Sequence, residues 1–420
     1  MSYLILKGNI VHTPTKDKFE CFESSYLVSK DNSILGIFQD LPEEFKNNEI
    51  HDYGDKLIIP GLIDLHVHAP QYVYCGLGLD MQLMDWLDTY AFPVENKFSD
   101  LEYARIYYEK FAESLAKNGT TRACIFSTKH VESTKLLMDI LEKHKIYSYV
   151  GKVNMDMFCP DYICEDTQKS IEDTKNWIVE TRNKYKNVFP SITPRFIPTC
   201  SKEVLKKLGE YAEEYNLPVH THSTEDIEEI KISLGRFNEY ESDGHIYDSF
   251  GLLSDKTVLA HFIYPTNSEI NLIKKRGVTI AHCPQSNGNV RAGVPPIRQL
   301  MNMGVNVGLG SDIAGGYSVS IFRAMADAEY LSKIRWLETN KEDDYLSVSE
   351  AFYLGTKGGG YYFGKVGSFE KGYQMDAVVI DDSNFGTPLD NYSLKQRIER
   401  VIHMADDRNI TARYLMGELA

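Results

Sequence analysis

The amino-acid sequence predicts an α/β protein: a (β/α)8 TIM barrel with a small β-sandwich-like domain built from both chain termini. Eight apolar, β-branched runs alternate with charged helical segments through the middle of the 420-residue chain. Short strand-like runs broken by turn residues occupy both ends. Residues of metal-binding type fall where the apolar runs stop.

At the N-terminal end, Tyr3-Leu4-Ile5-Leu6, Ser25-Tyr26-Leu27-Val28 and Ile34-Leu35-Gly36-Ile37-Phe38 are β-type runs. Near the C-terminus, Gly372-Tyr373-Gln374 is a turn leading into Ala377-Val378-Val379-Ile380. Residues 1–58 and 366–420 are therefore expected to form one composite β-domain, because the two ends of a domain commonly lie close together. The eight middle runs are 57–68, 120–126, 147–155, 189–196, 218–223, 257–262, 277–283 and 305–312. Near-continuous apolar strands separated by helices indicate a parallel sheet covered on both faces, and eight of them suggest a closed barrel over residues 59–365. An open doubly wound sheet is the alternative. Two connections, 69–100 and 224–255, exceed an ordinary βα loop, and loops of that length serve as lids or binding walls.

Composition narrows the partners. The net charge of −15 repels phosphate backbones and anionic lipid, so nucleic acid and membrane are not expected, whereas a neutral small molecule is compatible. No apolar run reaches the ~18 residues of a membrane span. The start, Met1-Ser2-Tyr3-Leu4-Ile5, lacks the basic-then-apolar pattern of a secretion signal. The seven cysteines are odd in number, widely spaced and without C-x-x-C. They read as reduced thiols of a cytoplasmic protein, mostly core fillers, and they exclude a zinc site built on a C-x-x-C pair.

The chemistry lies at the run ends. His66-Val67-His68 closes the first run, His222 and His261 lie near the ends of the fifth and sixth, His282 near that of the seventh, and Asp312 ends the eighth. In such barrels the C-terminal strand ends carry the active site. His66 and His68 are two apart, so on a strand both point the same way. With His222 and Asp312 they offer three nitrogens and one oxygen, a set suited to Zn2+, with Fe2+ as the alternative. One histidine at a strand end is ordinarily a packed core residue; five such residues at strand ends are not explained by packing. Glu225, three residues after His222, is placed to exchange protons with a cation-activated water. Its acidic neighbours Asp226, Glu228 and Glu229 read as a solvated helix face.

Pro60-Gly61-Leu62-Ile63-Asp64-Leu65-His66-Val67-His68 resembles the opening signature of the amidohydrolase superfamily. His222-Ser223-Thr224-Glu225, Ala260-His261, Ala281-His282-Cys283-Pro284 and Gly310-Ser311-Asp312 follow in the superfamily's order, and the likeness covers nearly the whole chain. It implies the barrel and a single metal held by His66, His68, His222 and Asp312. It further implies that Glu225 shuttles protons, that Asp312 helps deprotonate the water, and that His261 orients or polarises the attacked centre. His282 matches a superfamily position for which packing is the expected role.

Narrower motifs are similar to the branch of that superfamily that deaminates guanine. They are His68-Ala69-Pro70-Gln71-Tyr72, Asp85-Trp86-Leu87, Tyr90-Ala91-Phe92-Pro93-Val94-Glu95, Thr193-Pro194-Arg195-Phe196 and the stretch from Gly308 to Gly316. The resemblance implies that Gln71 and Arg195 hydrogen-bond the purine edge, that Phe196 lines the base, and that His261 also touches substrate. The implied reaction turns guanine and water into xanthine and ammonia, in a cytoplasmic homodimer with one Zn2+ per subunit. A deaminase or chlorohydrolase of another base (cytosine, an adenine-type nucleoside, a triazine) is the first alternative. A non-catalytic scaffold relative is the second.

Overall fold

Two sheets organise the chain in the computed structural model, which describes residues 3–385 and 392–420. Residues 386–391, inside the segment assigned to the β-domain, lie outside the described residues. The N-terminal part holds strands β1 (Tyr3–Thr15), β2 (Lys18–Lys30), β3 (Ser33–Phe38) and β4 (Ile50–Pro60). Strands β5 (Leu62–His68), β6 (Thr120–Phe126), β7 (Tyr147–Asn154) and β8 (Val188–Pro194) follow. Then come β9 (Val219–Ser223), β10 (Thr257–His261), β11 (Thr279–His282) and β12 (Asn306–Leu309). The C-terminal part adds β13 (Ala377–Ile380), β14 (Ile410–Leu415) and β15 (Glu418–Leu419).

The strands from both ends join in one mixed sheet, ordered β15-β14-β13-β4-β1-β2-β3, over its own core of Leu6, Ile10, Leu27, Ile58 and Val379. Strands β5 to β12 form the second sheet in sequential order, all paired in parallel. Its two edges meet beyond the end of β12: the Asp312 N–H donates to the His66 carbonyl at 2.9 Å, and the His68 N–H to that of Ile313 at 3.3 Å. The eight middle runs are thus eight barrel strands, and the closed reading holds over the open one.

One run divides. Residues 57–60 finish β4 in the terminal sheet, and only Leu62–His68 belongs to the barrel. The break is Gly61, where a Cβ would lie 2.3 Å from Thr121 Oγ1. Only glycine lets the chain pass that close to β6 as it changes sheets. Apolar character continues across the break because both pieces are buried, and a hydropathy pattern cannot see a change of sheet.

Helices cover the barrel. Leu101–Lys117 begins at Asp100, whose carboxylate accepts from the Glu102 and Tyr103 N–H groups, and buries Ala104, Tyr108, Phe111, Ala112 and Leu115 on one stripe. Each large side chain so buried contributes about 1.5–3 kcal/mol. Among the described residues, no helix is long and apolar enough to cross a membrane.

Candidate active site

The ends of β5, β9, β10 and the turn after β12 converge inside the barrel mouth. His66 and His68 project from β5 to the same side, and His220 and His222 do so from β9. His68 Nε2 lies 3.1 Å from His222 Nε2. Asp312 Oδ1 lies 3.2 Å from His66 Nε2 and 3.6 Å from His68 Nε2. Zn–N bonds of 2.0–2.1 Å in a tetrahedron set ligand atoms about 3.3 Å apart. Ligand atoms of His66, His68 and His222 lie within 4.8 Å of one another, and Asp312 falls in an overlapping group with His66, His261 and Cys283, a cluster that could hold a cation.

Hydrogen bonding turns the right nitrogens inward. His222 Nδ1 lies 2.6 Å from the Arg195 carbonyl, which only accepts, so Nδ1 carries the proton and Nε2 presents a lone pair. His66 Nδ1 is taken by His220 Nε2 at 2.8 Å, and His66 Nε2 has no hydrogen-bond partner although buried. Orphaned buried nitrogens and a buried carboxylate aimed at one point fit a divalent cation. Cys283 also comes near His66, His261 and Asp312. Burial, then the nearby Asp312 and Asp64 carboxylates, push its thiol well above the usual range.

Glu225 and His261 stand beside this cluster. His261 Nε2 lies 3.4 Å from Glu225 Oε2 and 3.7 Å from Asp312 Oδ2, and its Nδ1 meets Asn287 Oδ1 at 2.9 Å. Burial pushes the four imidazoles of His66, His68, His222 and His261 down. Burial raises the Glu225 carboxyl well above its ordinary value, and Asp312 and Asp226 raise it further. Burial also opposes ionisation of Asp312, but His66, His261 and His68 outweigh it and hold that carboxyl well below its ordinary range. The two carboxyls in this dry site are thus pushed in opposite directions, so Glu225 binds a proton more readily than Asp312. Thr224, His261 and Asp312 have φ of 47°, 72° and 47°. Left-handed backbone at residues bearing a Cβ costs about 1–3 kcal/mol each and is typical of functional sites.

The cleft above the cluster is walled by Gln71, Leu83, Trp86, Arg195, Phe196 and Val290. A wider groove of about 730 Å³ opens by Lys129, Glu132 and Asp173, but no metal-capable cluster among the described residues lies there. Chemistry, not size, selects the barrel mouth.

The model of the amidohydrolase family matches residues 57–420. The chain belongs to the amidohydrolase family. Over 98% of its length this amidohydrolase is 33% identical to the guanine deaminase of Dictyostelium discoideum, of which it covers 97%. It is likewise 33% identical to that of Homo sapiens, with 99% and 96% covered. A solved guanine deaminase from C. acetobutylicum, with guanine bound in its active site, superposes with a TM-score of 0.96 at 46% identity over the whole of both chains.

Every residue singled out from the sequence of this amidohydrolase thus reaches the barrel mouth: His66, His68, His222, His261, Glu225 and Asp312 at its floor, and Gln71, Arg195 and Phe196 in its wall. His282 is buried within the barrel, where burial and then His261 push its imidazole down to about 3.

Several supporting residues escaped the sequence reading. His220 is one, although His220-Thr221-His222 repeats the spacing of His66-Val67-His68. Asp64 is another: it accepts from the Ser311 hydroxyl at 2.5 Å, from the Ser311 N–H at 3.0 Å and from the His66 N–H at 3.2 Å, locking β5 to the Asp312 turn. Glu95 is buried against Arg195 and Gln71; it ends one of the motifs quoted above, but its pairing was not readable from sequence.

Two expectations are corrected. Glu229 is not on a solvated face: it is 1% exposed and accepts from the Glu225 and Asp226 N–H groups, completing a capping box for the helix Ile227–Arg236. A local charge pattern cannot show which turn faces the barrel. Cys159 and Cys164 are not free thiols but a disulfide, with Cα atoms 5.3 Å apart. The turn between them brings these atoms within bridging range without a C-x-x-C spacing.

Proposed function

We propose that this amidohydrolase hydrolyses guanine to xanthine and ammonia. The observation that carries the reading is Glu225 and His261 set beside the His66, His68, His222 and Asp312 cluster under a cleft walled by Gln71, Arg195 and Phe196. Guanine deaminases matched over nearly the whole of both chains, and a solved one holding guanine, support it. A single Zn2+ per subunit, held by the three histidines and Asp312, would supply hydroxide near neutral pH by acidifying a water.

The chain's own residues do the rest. Gln71 and Arg195 hold the polar edge of the base, and Phe196 lines its plane. Glu225 takes the proton that water gives up, assisted by Asp312, and delivers it to the ring nitrogen beside C2. The water oxygen attacks C2, and His261 orients the centre as it becomes tetrahedral. Glu225 then takes the proton remaining on the new C2 hydroxyl and hands it to the amine, and the C2–N bond breaks to release ammonia as the C2 carbonyl forms. Residues 59–365 act as the catalytic unit, and residues 1–58 with 366–420 as the supporting β-domain.

On the same reading the enzyme is a cytoplasmic homodimer. Tyr330 and Leu337, seven residues apart on the helix Ile321–Glu338, are 62% and 59% exposed and share one face. Light scattering checks the dimer, and cell fractionation checks the location. The activity test is ammonia release by zinc-loaded protein from a panel of purines, cytosine and triazines, with xanthine followed in the ultraviolet. Guanine turned over fastest is expected; preference for a triazine or a 6-amino base would overturn the reading.

A further inference from the structure

The geometry points to Glu95 as a positioning residue that sets base specificity by fixing Gln71 and Arg195 as hydrogen-bond donors. Glu95 sits in the first long connection, on the short helix Phe92–Lys97, and is 1% exposed. Its Oε2 accepts from Arg195 Nη1 at 2.7 Å, and its Oε1 from Arg195 Nη2 at 3.1 Å and from Gln71 Nε2 at 3.0 Å. The Gln71 carbonyl in turn accepts from the Ala314 N–H at 3.0 Å, two residues past Asp312. One carboxylate therefore ties together the loops after β5, β8 and β12. Glu95 does not line the cleft, whereas Gln71 and Arg195 do.

The orientation of Gln71 follows from its partners. A carboxylate only accepts, and a backbone N–H only donates, so the amide fits in one sense alone. One lone pair of the Gln71 carbonyl is engaged by Ala314 and one amide N–H by Glu95, which leaves the second N–H for the cleft. Arg195 has only N–H to give in any case. These two groups thus present mainly donors to a bound base. Such a wall pairs with a ring carbonyl or an unprotonated ring nitrogen. It meets an exocyclic amine at the same place donor to donor, leaving buried polar groups unpaired. The carboxylate also neutralises a guanidinium that would otherwise be buried alone. Fixing donor sense and charge together is what distinguishes a 6-oxo purine from a 6-amino purine with the same C2 amine.

This inference rests on the guanine reading, and its test separates the two. Ammonia release by zinc-loaded enzyme is measured with guanine and with 2,6-diaminopurine, which share the C2 amine but differ along the N1–C6 edge (N1–H and oxo against bare N1 and amine). In Glu95→Gln, kcat/KM for guanine is expected to fall at least tenfold, mainly through KM, because the released Gln71 and Arg195 bind the oxo edge less well. The value for 2,6-diaminopurine should change less than threefold, so the preference ratio collapses. Glu95→Asp, which keeps the charge but is too short to hold both partners, serves the same comparison should the Gln variant not fold. Equal losses on both bases, or an unchanged ratio, would overturn the positioning role while leaving the guanine reading intact. Wild-type enzyme inactive on guanine would overturn both.

Discussion

His66 Nδ1 lies 2.8 Å from Nε2 of His220, the residue two before His222 on β9. This contact holds the His66 ring so that its other nitrogen faces Asp312. A partner that fixes the ring of a ligating histidine is worth about 10–100-fold in metal affinity. His220→Ala is accordingly expected to weaken Zn2+ binding by that factor, read by competition with a chromophoric chelator. Unchanged affinity with an intact circular dichroism spectrum would remove the role assigned to His220.

The proposed role of Glu225 is proton transfer rather than fold. Glu225→Gln keeps the size of the side chain and removes the titrating proton. Turnover of guanine should drop about 10²–10⁴-fold, with zinc content by elemental analysis within error of wild type. A variant that still turns over normally would end the shuttle assignment.

A cation bound by these residues would stabilise the fold as well as activate water. Without it, His68 and His222 nitrogens 3.1 Å apart face one another in a dry pocket. Binding to the native state alone stabilises by mass action. Protein stripped with a chelator is expected to melt a few degrees lower by calorimetry, and added Zn2+ should restore both melting point and ammonia release. Equal melting points for stripped and loaded protein would contradict the site.

Glu269 gives a pH signature away from the reaction. Burial raises its carboxyl from 4.5 to about 7, against hydrogen bonds that include one from the Gly244 N–H at 2.7 Å. The folded state holds this proton more tightly than the unfolded chain. The stabilisation is complete below pH 4.5 and is lost as pH rises to about 7. Glu269→Gln cannot ionise and keeps an acceptor for Gly244. Between pH 5 and pH 8 it should lose less stability than wild type, by up to about 3 kcal/mol in urea titrations. Parallel losses in the two proteins would rule this out.

Much of this protein was legible because its key residues are set by local rules. His66-Val67-His68 points both imidazoles one way on any strand, and a run of buried β-branched residues marks a strand wherever it occurs. The order of such runs fixes a parallel barrel, and placing His222, His261 and Asp312 at run ends sends them to one rim. The sequence alone determined the barrel and which histidines and carboxyls gather at its mouth. Tertiary structure decided what depends on facing a distant segment. Gly61 changes sheets because Thr121 crowds it, Glu229 turns inward, Cys159 meets Cys164, and Glu95 reaches Arg195 and Gln71 across the mouth. Periodicity reports which side of an element is buried, not what it is buried against. Pairings across long stretches of chain depend on how packed elements meet, and no local pattern encodes them.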